Sequence, residues 1–199
     1  MRFYKFISTI FHPIVLPTIG VMLYFLLIPK NFPSNQKFTV LSLVFVTTYL
    51  IPLLILILFK RLNLVKTYKT ESIKERKLPV ALMIILFYLL ANTMSNIANL
   101  RDLGLLFYAS SIGLLCMYIL FFFNIKASIH LLSSGISAGF FMALSSNYSQ
   151  SYVLIIIVLI ILSGVLGSAR LKLKAHSNKE VYMGFFIGIL IPLIINYML

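Results

Sequence analysis

Acidic side chains are almost missing: Glu71, Glu75, Asp102 and Glu180 are the only four carboxylates among 199 residues. A two-metal hydrolase needs several convergent carboxylates or histidines, and the chain adds only three histidines, so metal-assisted catalysis is disfavoured. Cysteine occurs once, at Cys116 in an apolar run, which excludes an intramolecular disulfide and reads as buried packing. No glycine-rich loop leads into a Lys-Ser or Lys-Thr pair, so a nucleotide cradle is excluded and no cofactor is expected. Internal repeats, low-complexity tracts and flexible linkers are lacking as well. Charged residues make up 11% of the chain, too few for the soluble basic face that nucleic acid would require, although 17 Lys and Arg give a net charge of +13. Two partners fit that excess: anionic lipid headgroups and a phosphorylated substrate.

Hydrocarbon is abundant. With 61% hydrophobic residues and a mean hydropathy of +1.03, the chain falls in the membrane class. Apolar runs at roughly 12–29, 38–59, 79–97, 104–123, 127–147, 152–169 and 181–199 each approach the ~20 residues that cross a bilayer as a helix. Asn92, Ser95, Asn96 and Asn99 make the end of the third run polar, so both six and seven spans are compatible. The expected fold is all-α, a polytopic transmembrane helical bundle of six to seven spans forming one domain over 1–199. The apolar stretch after Met-Arg-Phe-Tyr-Lys is followed by no small-x-small cleavage site and reads as a retained first helix. Gly135 with Gly139, Gly164 with Ser168, and Gly184 with Gly188 repeat small residues at four-residue spacing, which predicts close helix contacts.

Three polar islands interrupt the apolar chain: Lys69 to Pro79, Lys126-Ala-Ser128-Ile-His130, and Arg170 to Glu180. Phosphoryl transfer needs cations on the non-bridging oxygens, an in-line nucleophile and an acid for the leaving oxygen, and the islands hold all three residue types. Lys69, Arg76, Lys126 and Arg170 are candidate clamps, with Ser128 as a hydroxyl donor and His130 and His176 as imidazoles. Two spans separate each island from the next, so all three return to one membrane face.

The islands resemble the three motifs of the type 2 phosphatidic acid phosphatase superfamily. That pattern is a Lys, six residues and Arg-Pro; then Ser-Gly-His; then Arg, five residues, His, three residues and Asp. Lys69 and Arg76, Ser128 and His130, and Arg170, His176 and Glu180 keep those spacings in that order, within a phosphatase-like core of about 69–188. The bacterial subgroup with Lys-Ile-Ser-x-His in its second motif is most similar, which adds Lys126 as a phosphate ligand. The resemblance implies His176 as a nucleophile forming a phosphohistidine, Glu180 orienting it, His130 as general acid, and Lys69, Arg76, Lys126, Ser128 and Arg170 on the phosphate. Four positions depart from the pattern. Pro79 is displaced from its place after Arg76, making Lys74 an alternative to Lys69; Ile129 replaces Gly, Ala169 replaces Ser, and Glu180 replaces Asp.

Plainer roles compete for some of these residues. Ser177-Asn-Lys-Glu180 is a capping box for the last helix, and Ser72-Ile-Lys-Glu75 reads as a cap. Lys60, Arg61, Lys66, Lys77, Lys172, Lys174 and Lys179 read as snorkelling interfacial cations, and His12 before Pro13 as an interfacial ring at a kink. The expected function is metal-independent hydrolysis of a lipid phosphate monoester or pyrophosphate. A non-catalytic transporter or binding protein for anionic headgroups, or a lipid phosphotransferase, fits the same residues. The resemblance implies a bacterial inner membrane protein with an extracytoplasmic site. Fourteen of the 17 cations fall on the island face, however, and the positive-inside rule turns that face to the cytoplasm, which is the expectation adopted.

Overall fold

A computed structural model describes residues 1–28, 30–65, 72–148 and 150–198. The described residues fold into helices without strands: α1 (Arg2–Ile10), α2 (Leu16–Leu27), α3 (Ser34–Phe45), α4 (Ile51–Arg61), α5 (Ile73–Ser95), α6 (Arg101–Phe122), α7 (Ile129–Tyr148), α8 (Val153–Lys172) and α9 (Asn178–Met198). Helices α3 and α4 form one continuous span, Ser34–Arg61, through a π-helical turn at Val46–Leu50. The turn precedes Pro52, whose ring cannot donate to the carbonyl four residues back. With this pair counted once, six helices are long and apolar enough to cross a membrane, so the chain is an integral membrane protein. Most of the third apolar run lies in one of these helices, Ile73–Ser95, which holds Asn92 and Ser95, while Asn96 and Asn99 lie beyond its end.

The first apolar run is not one helix. Pro13 lacks an N–H and disfavours helical backbone at His12, so the chain turns over 11–15 between α1 and α2. At 12 residues α2 is about 18 Å long, short of a ~30 Å hydrocarbon core. Its flanks extend it. His12 meets His130 at the start of α7, with ring centroids 5.2 Å apart. Beyond the other end, Lys30 Nζ lies 2.9 Å from Asp102 Oδ2, which also accepts from Tyr24 at 2.7 Å and from Tyr148, at the end of α7, at 2.5 Å. Segment 12–30 therefore connects the two ends of α7, about 27 Å apart at 1.5 Å per residue.

Helix α7 is the most buried of the spans and packs most closely on α9, while α5 packs on α6. Glycine explains the first contact. A Cβ at Gly139 would lie 2.5 Å from the Ile189 carbonyl, and one at Gly135 or Gly188 would collide with the backbone of the facing helix. The predicted contacts of Gly135/Gly139 and Gly184/Gly188 are thus one α7–α9 seam. Gly164 is a correction: no atom lies within 4 Å of its Cβ position, and Gly167, facing Val181, makes the close approach of α8 instead. Outward faces carry Leu54 and Leu58 on α4 and Leu154 and Ile161 on α8, all exposed, as hydrocarbon contact requires. Cys116 is a half-buried free thiol packed against the core.

Candidate active site

At the end of the bundle opposite Asp102, a cavity of about 800 Å³ penetrates between α2, α4, α5, α6 and α7. Its deep part is apolar, walled by residues such as Gly20, Leu56, Phe87, Leu114 and Ile136. Its other end is cationic. Arg76 from the first turn of α5, Lys126 and His130 around the start of α7, Arg170 from the last turn of α8, and His176 from the turn before α9 all line it. Residues from all three polar islands thus meet in one cavity.

His176 is the most constrained. Its side chain is 1% exposed, and its Nδ1 lies 3.0 Å from the Lys126 carbonyl and 3.3 Å from Glu180 Oε2. A carbonyl only accepts, so Nδ1 carries the hydrogen and the lone pair of the neutral ring is on Nε2. Burial, reinforced by Arg170 and Arg76 and opposed by Glu180, lowers its pKa to about 4. The imidazole is therefore neutral near pH 7, the state in which it is a nucleophile.

Glu180 caps α9 and contacts His176. Its Oε2 accepts from the Ser177 N–H at 2.8 Å while the Glu180 N–H points to Ser177 Oγ at 3.4 Å, closing the capping box, and the same oxygen contacts His176. His176 lies two positions before α9, and the capping turn brings its ring to Glu180 in the first turn of the helix. Glu180 itself is off the cavity wall. The Ser72 cap on α5 also forms, with its Oγ accepting from the Glu75 N–H at 3.2 Å.

His130 is buried, and its Nε2 has no hydrogen-bond partner among the described residues. Arg170 donates to Ser8 Oγ at 2.8 Å, and its buried Nε–H likewise has no partner there. Buried polar groups are rarely left so. Both belong to residues on the cavity wall.

Three expected phosphate ligands need comment. Lys69 lies outside the described residues. Lys74 is exposed and away from the wall: two positions along a helix turn a side chain by about 200°, so Arg76 facing the cavity turns Lys74 outward. Ser128 is fully buried but does not line the cavity. Its N–H donates to the Glu180 backbone carbonyl at 3.0 Å, and Gly184 packs directly on its backbone, so Ser128 serves the α7–α9 seam.

Sequence reasoning missed the contribution of the N-terminus. Helix α1 sets Lys5, Ser8 and Thr9 toward the cavity, packs Ile7 on Leu131, Leu166, Ala169 and Val181, and leaves Phe3, Phe6 and Ile10 exposed. The spacing of Lys5, Ser8 and Thr9 marks one helix face and is the signal that was legible. His12, expected as an interfacial ring, also lines the cavity; burial, then Arg170, lowers its pKa. Lys174, expected to snorkel, is on the wall too. Comparison of the chain with protein-family models, curated proteins and solved structures finds no match.

Proposed function

We propose that this integral membrane protein hydrolyses a lipid phosphate monoester or pyrophosphate through a phosphohistidine at His176. One observation carries the reading. With Nδ1 held by the Lys126 carbonyl and Glu180, His176 offers the Nε2 lone pair to a cavity lined by Arg76, Lys126 and Arg170. The sequence spacing of Arg170, His176 and Glu180 resembles that of the type 2 phosphatidic acid phosphatases.

In the proposed cycle, the two guanidinium forks and the Lys126 ammonium grip the phosphate oxygens. A phosphate dianion entering the cavity favours protonation of His130 beside it. His176 Nε2 attacks phosphorus, the bond from phosphorus to the lipid oxygen breaks, and His130 gives its proton to that oxygen. The phosphorylated imidazole is cationic, and the carbonyl and carboxylate at Nδ1–H stabilise it. Water next attacks phosphorus and passes a proton to His130. The P–N electrons return to Nε2, and one water has been exchanged for one phosphate. The apolar depth of the cavity suits a hydrocarbon chain, so that the tail need not enter water. Phosphatidate, phosphatidylglycerophosphate, undecaprenyl pyrophosphate and phosphorylated lipid A are compatible headgroups.

Phosphate release from detergent-solubilised protein on a panel of those lipids tests the proposal. Wild type should release phosphate and label as a phosphoenzyme, and His176→Ala should do neither. His130→Ala should lose about 10²–10⁴-fold in turnover yet still label when the leaving group is activated, since less protonation is needed. Labelling of His176→Ala equal to wild type would remove the nucleophile assignment. Headgroup binding without phosphate release would identify a non-catalytic lipid-binding protein.

A further inference from the structure

We infer that Lys5, His12 and Lys174 form a second anion subsite beside His130, which takes the second phosphate group of a lipid diphosphate. The inference rests on the phosphatase reading and narrows its substrate class.

The three residues share one cavity wall with Arg170. All line the cavity that holds His130 and His176. Arg170 donates to Ser8 Oγ at 2.8 Å, which fastens α1, and with it Lys5, to the end of α8. Lys174 lies four residues beyond Arg170, in the turn whose Ala175 N–H bonds back to the Arg170 carbonyl at 3.1 Å. His12 sits edge-on to His130 at 5.2 Å between ring centroids. Its Nδ1 accepts the Ile14 N–H at 3.3 Å, so the neutral ring carries its hydrogen on Nε2 and acts as a donor.

The backbone at Lys174 gives independent support. Positive φ occurs at Asn63, Asn124 and Lys174, with values of 57°, 57° and 53°. Asparagine tolerates this left-handed region; lysine gains nothing from it, and Gly or Asn would end α8 at lower cost. A strained residue at a cavity wall marks a position held for its side chain. The side chain here is a cation.

Chemistry then selects the ligand. Cations that share one cavity wall attract an anion into the space between them. In a monoester the group opposite His176 leaves as an alcohol, neutral once protonated, with no charge for Lys5, His12 or Lys174 to hold. In a diphosphate, Nε2 attacks the terminal phosphorus, the bridging P–O bond breaks, and the electron pair leaves with the lipid monophosphate. Donors around that group stabilise charge where it develops.

Calorimetry with two non-hydrolysable compounds tests binding apart from turnover: methylphosphonate for one phosphate and methylenediphosphonate for two. Wild type should bind the diphosphonate at least tenfold more tightly. Lys5→Met, His12→Phe and Lys174→Gly should each narrow that ratio by about tenfold. Lys174→Gly relieves a left-handed lysine, so it should melt no earlier than wild type, which separates lost binding from misfolding. In the lipid arm, the kcat/KM preference for a prenyl diphosphate over the prenyl monophosphate of equal chain length should fall in the same variants. Equal affinity of wild type for the two phosphonates, or a ratio unchanged in all three variants, would overturn the subsite. Phosphate release with equal affinities would leave the phosphatase standing without it. A preserved phosphonate ratio without release from either lipid would support the subsite and remove the phosphatase.

Discussion

Alanine at Gly184 tests how far the site depends on the close approach of α9 to the segment before α7. The added Cβ would lie 2.5 Å from the Ser128 carbonyl oxygen and 3.2 Å from its nitrogen, whereas ordinary contact begins at 3.4 Å. Both obstacles are backbone, so no flexible side chain can yield and the two segments must part by about 0.9 Å. The bond from the Ser128 N–H to the Glu180 carbonyl crosses this contact at 3.0 Å, and the Lys126 carbonyl two residues upstream holds His176 Nδ1 at the same distance. Stretched by that amount, either passes beyond hydrogen-bond length. Overpacking costs about 1–3 kcal/mol and a lost neutral hydrogen bond about 1, against roughly 0.5–1 regained from replacing a helical glycine, for a net loss of roughly 1–3 kcal/mol. A His176 displaced by nearly 1 Å should lose about 10²-fold in turnover. Thermal unfolding in detergent and phosphate release, measured beside Gly164→Ala, give both numbers. Gly164 faces open space, so its alanine should stabilise by about 0.5–1 kcal/mol and keep full turnover. Wild-type melting together with wild-type turnover in Gly184→Ala would refute the reasoning.

The lowered pKa of His176 makes stability depend on pH with a definite sign. Between the unfolded value of 6.5 and the folded value of about 4, the unfolded chain binds the proton that the folded site refuses. Stability should therefore fall as pH is lowered through that window, and His176→Gln should flatten the slope measured by unfolding in detergent; an unchanged slope would refute it. Sidedness is tested by thiol labelling. With Cys116 replaced by Ala, Lys172→Cys, at an exposed position, should resist an impermeant reagent in intact cells and react once they are opened. Ready labelling of intact cells would place the site outside.

The spans were legible because hydrocarbon length is a one-dimensional signal: six of the seven apolar runs overlap the long helices. The exception, 12–29, depends on Pro13 and on contacts at the ends of α7 that composition does not encode. Candidate site residues were legible where the contact is local to an island, as with His176 and Glu180 four positions apart. They were missed where the partner is remote in sequence. Arg170 meets Ser8 and His130 meets His12 across more than a hundred residues, and only tertiary packing joins them. Lys74 and Ser128 lie off the cavity wall for a different reason. A motif fixes spacing, but helix phase decides which cation turns inward, and a glycine seam decides which hydroxyl is sealed away.

The same packing bears on the charge asymmetry, for which substrate binding and membrane orientation compete as explanations. Five of the described cations at the site end are on the cavity wall: Lys5, Arg76, Lys126, Arg170 and Lys174. A phosphate site requires cations on its wall whichever way it faces, so these say nothing about orientation. Arg2, Lys60, Arg61, Lys74, Lys77, Lys172 and Lys179 remain at that end, off the wall. The opposite end has Lys30, Lys37 and Arg101, and Lys30 is neutralised by Asp102 at 2.9 Å. Each cation near an anionic leaflet gains about 1 kcal/mol, so an excess that survives removal of the cavity set is a force on topology. It favours the cytoplasmic leaflet for the proposed site. The headgroup would then be drawn in from that leaflet, with α1 lying across the interface, its Phe3, Phe6 and Ile10 edge exposed to lipid and its Lys5 turned to the cavity.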